Sequence, residues 1–214
     1  MDLFKPLLII HIIGGSLSLV LGTVVLMIKK GTARHKLLGR IFYYAMLIAA
    51  IVSMPMSYLH PNYFLFIIGV FTSFMLLSGR RYMVNKGKPE WQDWLLTSLM
   101  LVFAMAFIGF GGYHMIRGDS FGLVFLVFGS VSLLFVYHDW TNFTGRSKIS
   151  NYYLTTHLQR MLGSYIASVT AFLVVNNTIL PPMIAWLLPT AAVTPLIVTW
   201  SRKHKKIAIQ EAVY

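Results

Sequence analysis

Cysteine is absent from all 214 residues. That excludes disulfides, iron–sulfur clusters and thiolate zinc sites, so any metal here would rest on His, Met, Asp or Glu. Charge is scarce as well. Only 11% of residues are Asp, Glu, Lys or Arg, against about a quarter in soluble domains. Acidic residues are scarcest of all: six Asp and Glu stand against eighteen Lys and Arg, a net charge of +12. The zinc-protease HExxH, the GxSxG elbow, the Walker loop and the paired-histidine boxes of membrane desaturases are all missing. No soluble domain, linker or low-complexity stretch interrupts the chain, which reads as a single transmembrane domain over 1–214.

What is present is apolar. Hydrophobic residues make up 57% of the chain and the mean hydropathy is +0.70, which places it in the membrane class. Seven segments approach the ~20 residues needed to cross a bilayer. They cover 6–28, 38–58, 63–79, 91–113, 121–137, 154–175 and 179–200. The first holds a histidine and is preceded by a single lysine, Lys5, so it reads as a span and not as a cleaved leader. The fold expected is an all-α, seven-helix transmembrane bundle.

The cations set an orientation. Lys29, Lys30, Arg34, Lys36 and Arg40 follow the first span; Arg80, Arg81, Lys86 and Lys88 follow the third. Arg146, Lys148 and Arg160 flank the start of the sixth span, and Arg202, Lys203, Lys205 and Lys206 follow the seventh. Only Lys5 and Arg117 fall on the other side. The positive-inside rule then puts the N-terminus out and the C-terminus in. Cations confined to short loops argue against nucleic acid as partner and for the lipid bilayer, with anionic headgroups at the inner face. Membrane partner subunits are left open.

Several spans carry small or polar residues at four–three spacing, the pattern of packed helices. The lines are His11, Gly15, Ser18 and Gly22; then Gly39, Tyr43, Met46, Ala50, Ser53, Ser57 and His60. The fourth span carries Asp93, Thr97, Met100, Ala104, Phe107, Gly111 and His114, and the sixth His157, Met161, Ser164, Ser168 and Ala171. The seventh, with Pro181, Pro182, Pro189 and Pro195, shows no such line and is expected at the periphery.

The histidines supply the candidate chemistry, because ionisable residues inside spans are costly and mark function. His11, His60 and His114 fall near the outer face; His35, His138 and His157 near the inner; His204 lies in the basic tail. The candidate cofactor ligands are His11, His60, His114, His138 and His157. Two imidazoles on facing helices would hold a b-type haem. His11, His60 and His114 together would hold a transition metal, and Met54 and Met56 nearby would favour copper(I). Asp93 and Asp139 join the inner histidines as ligands for zinc or iron, or as a proton relay. Asp139 and Arg160 would form a structural ion pair.

The residues His11, Gly14 or Gly15, Gly22 and His35-Lys36-Leu37-Leu38-Gly39-Arg40 resemble a bacterial family of predicted multi-pass membrane proteins of unknown function. That family carries a histidine in its first span and His-[Arg/Lys]-x-x-Gly-Arg before its second. The resemblance covers the first two spans and implies a bacterial integral membrane protein without specifying an activity. The family's His-Arg-x-Trp-Met stretch is Trp91-Gln92-Asp93-Trp94-Leu95 here, so no histidine ligand carries over at that position. A looser similarity is to cytochrome b-like haem bundles. Three functions follow as expectations: a redox or metal-binding protein holding haem b or a metal ion through interior histidines; a cofactor-free structural, assembly or small-solute-handling protein; and a metal-dependent membrane hydrolase. Whether the chain is an enzyme is left open.

Overall fold

A computed structural model describes residues 3–149 and 151–211, with the side chains at 182, 183, 187 and 204–211 outside the description. The expectation for His204 therefore lies outside the described side chains. Seven α-helices and no strand are found among the described residues: α1 Phe4–Met27, α2 Ala33–Leu59, α3 Tyr63–Val84, α4 Trp91–Ile116, α5 Gly122–Phe143, α6 Tyr152–Asn176 and α7 Pro182–Glu211. All seven are long and apolar enough to cross a membrane. The chain is an all-α integral membrane protein.

The helices overrun the apolar segments where polar residues find partners. α2 starts at Ala33 instead of 38, because Thr32 caps it and accepts the His35 N–H at 3.2 Å. Much of the basic loop is thus the first turn of a helix. α3 runs on past 79 to Val84 and α5 past 137 to Phe143. Those extra turns carry Arg81, Tyr82, Asp139 and Asn142, all hydrogen-bonded within the chain.

Contacts divide the chain into two compact units, the first Met1–Leu76 with Gln159–Trp200 and the second Leu77–Leu158 with Ser201–Tyr214. In the first, α1 and α2 pack antiparallel. A Cβ added to Gly14 would lie 2.8 Å from the Ala45 carbonyl oxygen; the Ser18 hydroxyl reaches the Met46 sulfur at 3.2 Å; Gly22 lies beneath Phe42 and Tyr165. The seam uses Gly14, one position from the expected Gly15, and a Cβ at Gly15 would meet nothing. On α2, Tyr43, Met46, Ala50, Ser53 and Ser57 are buried as their spacing predicts. Gly69 of α3 faces the Ala50 carbonyl, and Gly163 of α6 faces the Met75 sulfur. α7 is less peripheral than its prolines suggest: Ala185, Pro189 and Val193 form a buried line at four-residue spacing.

The second unit repeats the device. α4 buries Asp93, Thr97, Met100, Ala104, Phe107 and Gly111, the line expected for it up to its last member, His114. α5 answers with Gly122, Phe125, Gly129, Ser132 and Asp139. Added Cβ atoms at Gly122 and Gly129 would come 2.6 Å from the Gly111 carbonyl and 3.1 Å from the Ala104 carbonyl. Lipid gives helices no hydrophobic reason to associate, so close backbone approach through small residues supplies the attraction.

Candidate functional site

His11 donates Nδ1–H to the Ala49 carbonyl at 2.9 Å and so ties α1 to α2. A carbonyl only accepts, so in the neutral ring Nε2 carries the lone pair. The stripe beside His11 is occupied by the α2 backbone at Ala45 and Ala49. His60 ends α2, exposed, with its ring packed on Phe4 at 4.0 Å between centroids. His35 is half-buried, and its Nδ1 is buried with no hydrogen-bond partner.

The other candidates belong to the second unit. His114 contacts Asp119 through Nδ1 at 2.7 Å, and Asp119 also accepts the Phe121 N–H at 2.9 Å. The Phe121 N–H first, and His114 second, hold the Asp119 carboxyl below its ordinary value. His157 donates Nδ1–H to the Gly79 carbonyl at 2.8 Å and ties α6 to α3. His138 is exposed on α5. Among the described residues no three of His, Asp or Glu converge as metal ligands. His11, His35 and His60 fall in the first unit and His114, His138 and His157 in the second.

What the fold does gather is a polar nest at the ends of α3, α4 and α5. Asp139 has no exposed surface. Its Oδ1 accepts the Tyr82 hydroxyl at 2.8 Å and its Oδ2 the Thr97 hydroxyl at 3.2 Å. Asn142, one turn beyond Asp139, donates its amide to the Tyr82 oxygen at 3.1 Å. The phenol therefore donates and accepts at once, and its ring stacks on Phe143. In the first unit, Arg160 is 2% exposed with its guanidinium 4.6 Å over the Phe74 ring.

Beside the nest, Arg81 closes the α3–α4 hairpin. Its Nε meets Asp93 Oδ1 at 2.5 Å, and its Nη groups reach Asp93, Glu90 and Gln92. Asp93 also accepts from Asn85 and from the Glu90 N–H, completing a capping box on α4. Asp93 is thus a fully engaged structural carboxylate. A cavity of about 10 Å³ lies against Arg81, Tyr82, Asn85, Gly87, Asp93 and Phe143, room for about one water.

Sequence spacing singled out Thr97 and Asp139 separately but missed Tyr82 and Asn142. Asn142 carried a signal, since Asp139 and Asn142 are three apart on one helical face. Tyr82 carried none, because it follows two arginines where hydropathy ends the span. No family model matches the chain, and neither a curated protein nor a solved structure matches it.

Proposed function

We propose that this chain handles protons, or a small solute that carries one, at the Asp139 nest, as a cofactor-free protein of a bacterial inner membrane. The observation that supports the reading is Asp139 itself, wholly enclosed in a helix fit to cross a bilayer and bonded by two hydroxyls. A carboxylate in that position is costly and is characteristic of proton and solute pathways. Tyr82 lines the water-sized cavity and bonds Asp139 Oδ1, so in this reading its hydroxyl passes a proton to Oδ1 and regains one from the cavity side. Asn142 holds the phenol oxygen in line. In this reading the basic loops face the cytoplasm and contact anionic lipid, with the N-terminus out and the C-terminus in; a periplasm-only reporter fused after Tyr214 is then inactive.

The test is proton entry into proteoliposomes under a potassium diffusion potential, followed by an internal pH dye. Wild-type vesicles acidify, Asp139→Asn vesicles do not, and Asp119→Asn vesicles behave as wild type. Wild-type vesicles as tight as protein-free ones overturn the reading.

A second reading, a redox protein holding a haem or metal, is favoured by His11 alone. Its Nδ1–H is spent on a backbone carbonyl, the support that ligating histidines use, and Gly15 one turn on is open. A Soret band or stoichiometric metal in the purified protein, lost in His11→Ala, would establish it in place of the first.

A further inference from the structure

Four aromatic rings of the second unit form a continuous path. Trp140 meets Trp94 edge-on at 5.5 Å between centroids, Trp94 meets Phe143 at 5.1 Å, and Phe143 stacks on Tyr82 at 5.8 Å. Rings at these separations are in van der Waals contact. The path has a direction. Trp140 is 52% exposed on α5, whereas Tyr82 is 4% exposed. Trp and Tyr at the ends of spans usually form a belt of exposed interfacial rings. Trp140 fits that description, but Tyr82 does not. The inner end also differs chemically from the outer one, because the Tyr82 hydroxyl is 2.8 Å from the Asp139 carboxylate.

A phenol that loses an electron becomes strongly acidic, so a tyrosine is readily oxidised only where a base can take its proton. An indole can lose an electron and hold its N–H for a time. Trp140 and Trp94 therefore suit relay positions, Phe143 bridges, and Tyr82 with Asp139 suits the terminus.

We propose that Tyr82 is a redox-active tyrosine, oxidised through Trp140, Trp94 and Phe143, with Asp139 as its proton acceptor. The natural oxidant by class is a lipid-derived peroxyl radical meeting Trp140 at the exposed face. The peroxyl takes one electron from Trp140 and one proton from water and becomes a hydroperoxide. Trp94 refills Trp140, and Tyr82 refills Trp94. The Tyr82 O–H bond breaks, its proton goes to Asp139 Oδ1, and a neutral tyrosyl radical remains. The inference shares Asp139 with the proton-handling reading but rests on the ring contacts, so radical formation stands or falls independently of proton flux.

The test uses the full chain in nanodiscs with flash-generated ruthenium(III) tris-bipyridyl as the oxidant. Electron paramagnetic resonance of freeze-quenched samples and transient absorbance report the radical. The wild type gives a tyrosyl signal that Tyr82→Phe removes. Trp94→Phe keeps a ring in place and slows the signal's formation. With Asp139 as acceptor, the wild-type rate does not vary with buffer concentration, and Asp139→Asn makes it vary. Circular dichroism confirms that the phenylalanine variants fold. A signal unchanged in Tyr82→Phe would place the radical on surface tyrosines and overturn the proposal, as would indole radicals alone in the wild type. A wild-type rate that rises with buffer concentration would overturn the role of Asp139.

Discussion

Tyr82 and Asp139, 57 positions apart in sequence, share a 2.8 Å hydrogen bond in the interior of the second unit. The bond joins the end of α3 to the end of α5, and Thr97 brings in α4 through the other carboxylate oxygen. A half-satisfied carboxylate away from water is worse than none, so the nest stabilises only while its donors are present. Tyr82→Phe keeps the ring and its stacking on Phe143 while removing one donor. The expected loss is about 1–3 kcal/mol of stability, read from thermal or denaturant unfolding in detergent. Tyr137→Phe, at an exposed position, stays within about 0.5 kcal/mol of wild type. Equal effects from the two would contradict a stabilising role for the nest.

The adjacent glycines of α1 make a sharper comparison. A methyl at Gly14 meets the Ala45 carbonyl oxygen at 2.8 Å, against backbone that cannot give way cheaply, while a methyl at Gly15 meets nothing. Gly14→Ala therefore destabilises by about 1–3 kcal/mol through overpacking. Gly15→Ala stabilises by about 0.5–1 kcal/mol through the ordinary helix preference. Opposite signs at neighbouring positions are the expected result of melting the two variants side by side.

These glycines also show what was legible in the sequence. Seven spans could be read from hydropathy because lipid demands long apolar helices. The α4 line could be read because one face of that helix does all the packing and its small residues repeat at heptad spacing. On α1 the choice between Gly14 and Gly15 could not be read, since both fit a helical stripe and only the partner backbone decides. The α5 line of Gly122, Phe125, Gly129 and Ser132 has the same spacing but is masked by the hydrophobic residues on either side of it. The polar nest was not legible. Tyr82 and Asp139 lie beyond the apolar windows, and nothing local tells a charge that marks the end of a span from one enclosed by three helices.

Asp119 gives a pH dependence of definite sign. Its carboxyl is held below the ordinary value of 3.8, first by the Phe121 N–H and then by His114. A group with a depressed folded pKa favours the folded turn when ionised. That contribution is complete above the ordinary value and fades as the pH falls through the lowered one. The protection factor of the Phe121 amide, its exchange rate taken against the intrinsic rate at the same pH, should therefore fall on acidification below the ordinary carboxylate range. Asp119→Asn should remove that acid dependence. Protection that is flat with pH in the wild type would show that the turn does not depend on the charge.

The basic loop after α1 separates cations by task. Lys30 bends back so that its ammonium meets the carbonyls of Val25 and Leu26 at 2.7 Å and Ile28 at 3.2 Å, with the Trp200 ring 4.5 Å away. Partial desolvation there pushes its pKa below the ordinary lysine value. Lys30 thus satisfies the open carbonyl end of α1, and Lys30→Gln costs about 0.3–1 kcal/mol of helix-end stability. Lys29, Arg34 and Lys36 are exposed, as is Lys30, and under the proposed orientation those three are the cations of this loop offered to headgroups. Replacing those three with Gln should weaken binding to anionic lipid by about 1 kcal/mol for each basic residue removed near the surface. Lys30→Gln should leave lipid binding nearly unchanged. Native mass spectrometry with phosphatidylglycerol added to the detergent-solubilised protein measures both. A triple variant that retains wild-type lipid occupancy would refute the headgroup role, and a Lys30→Gln variant that loses it would refute the division of labour.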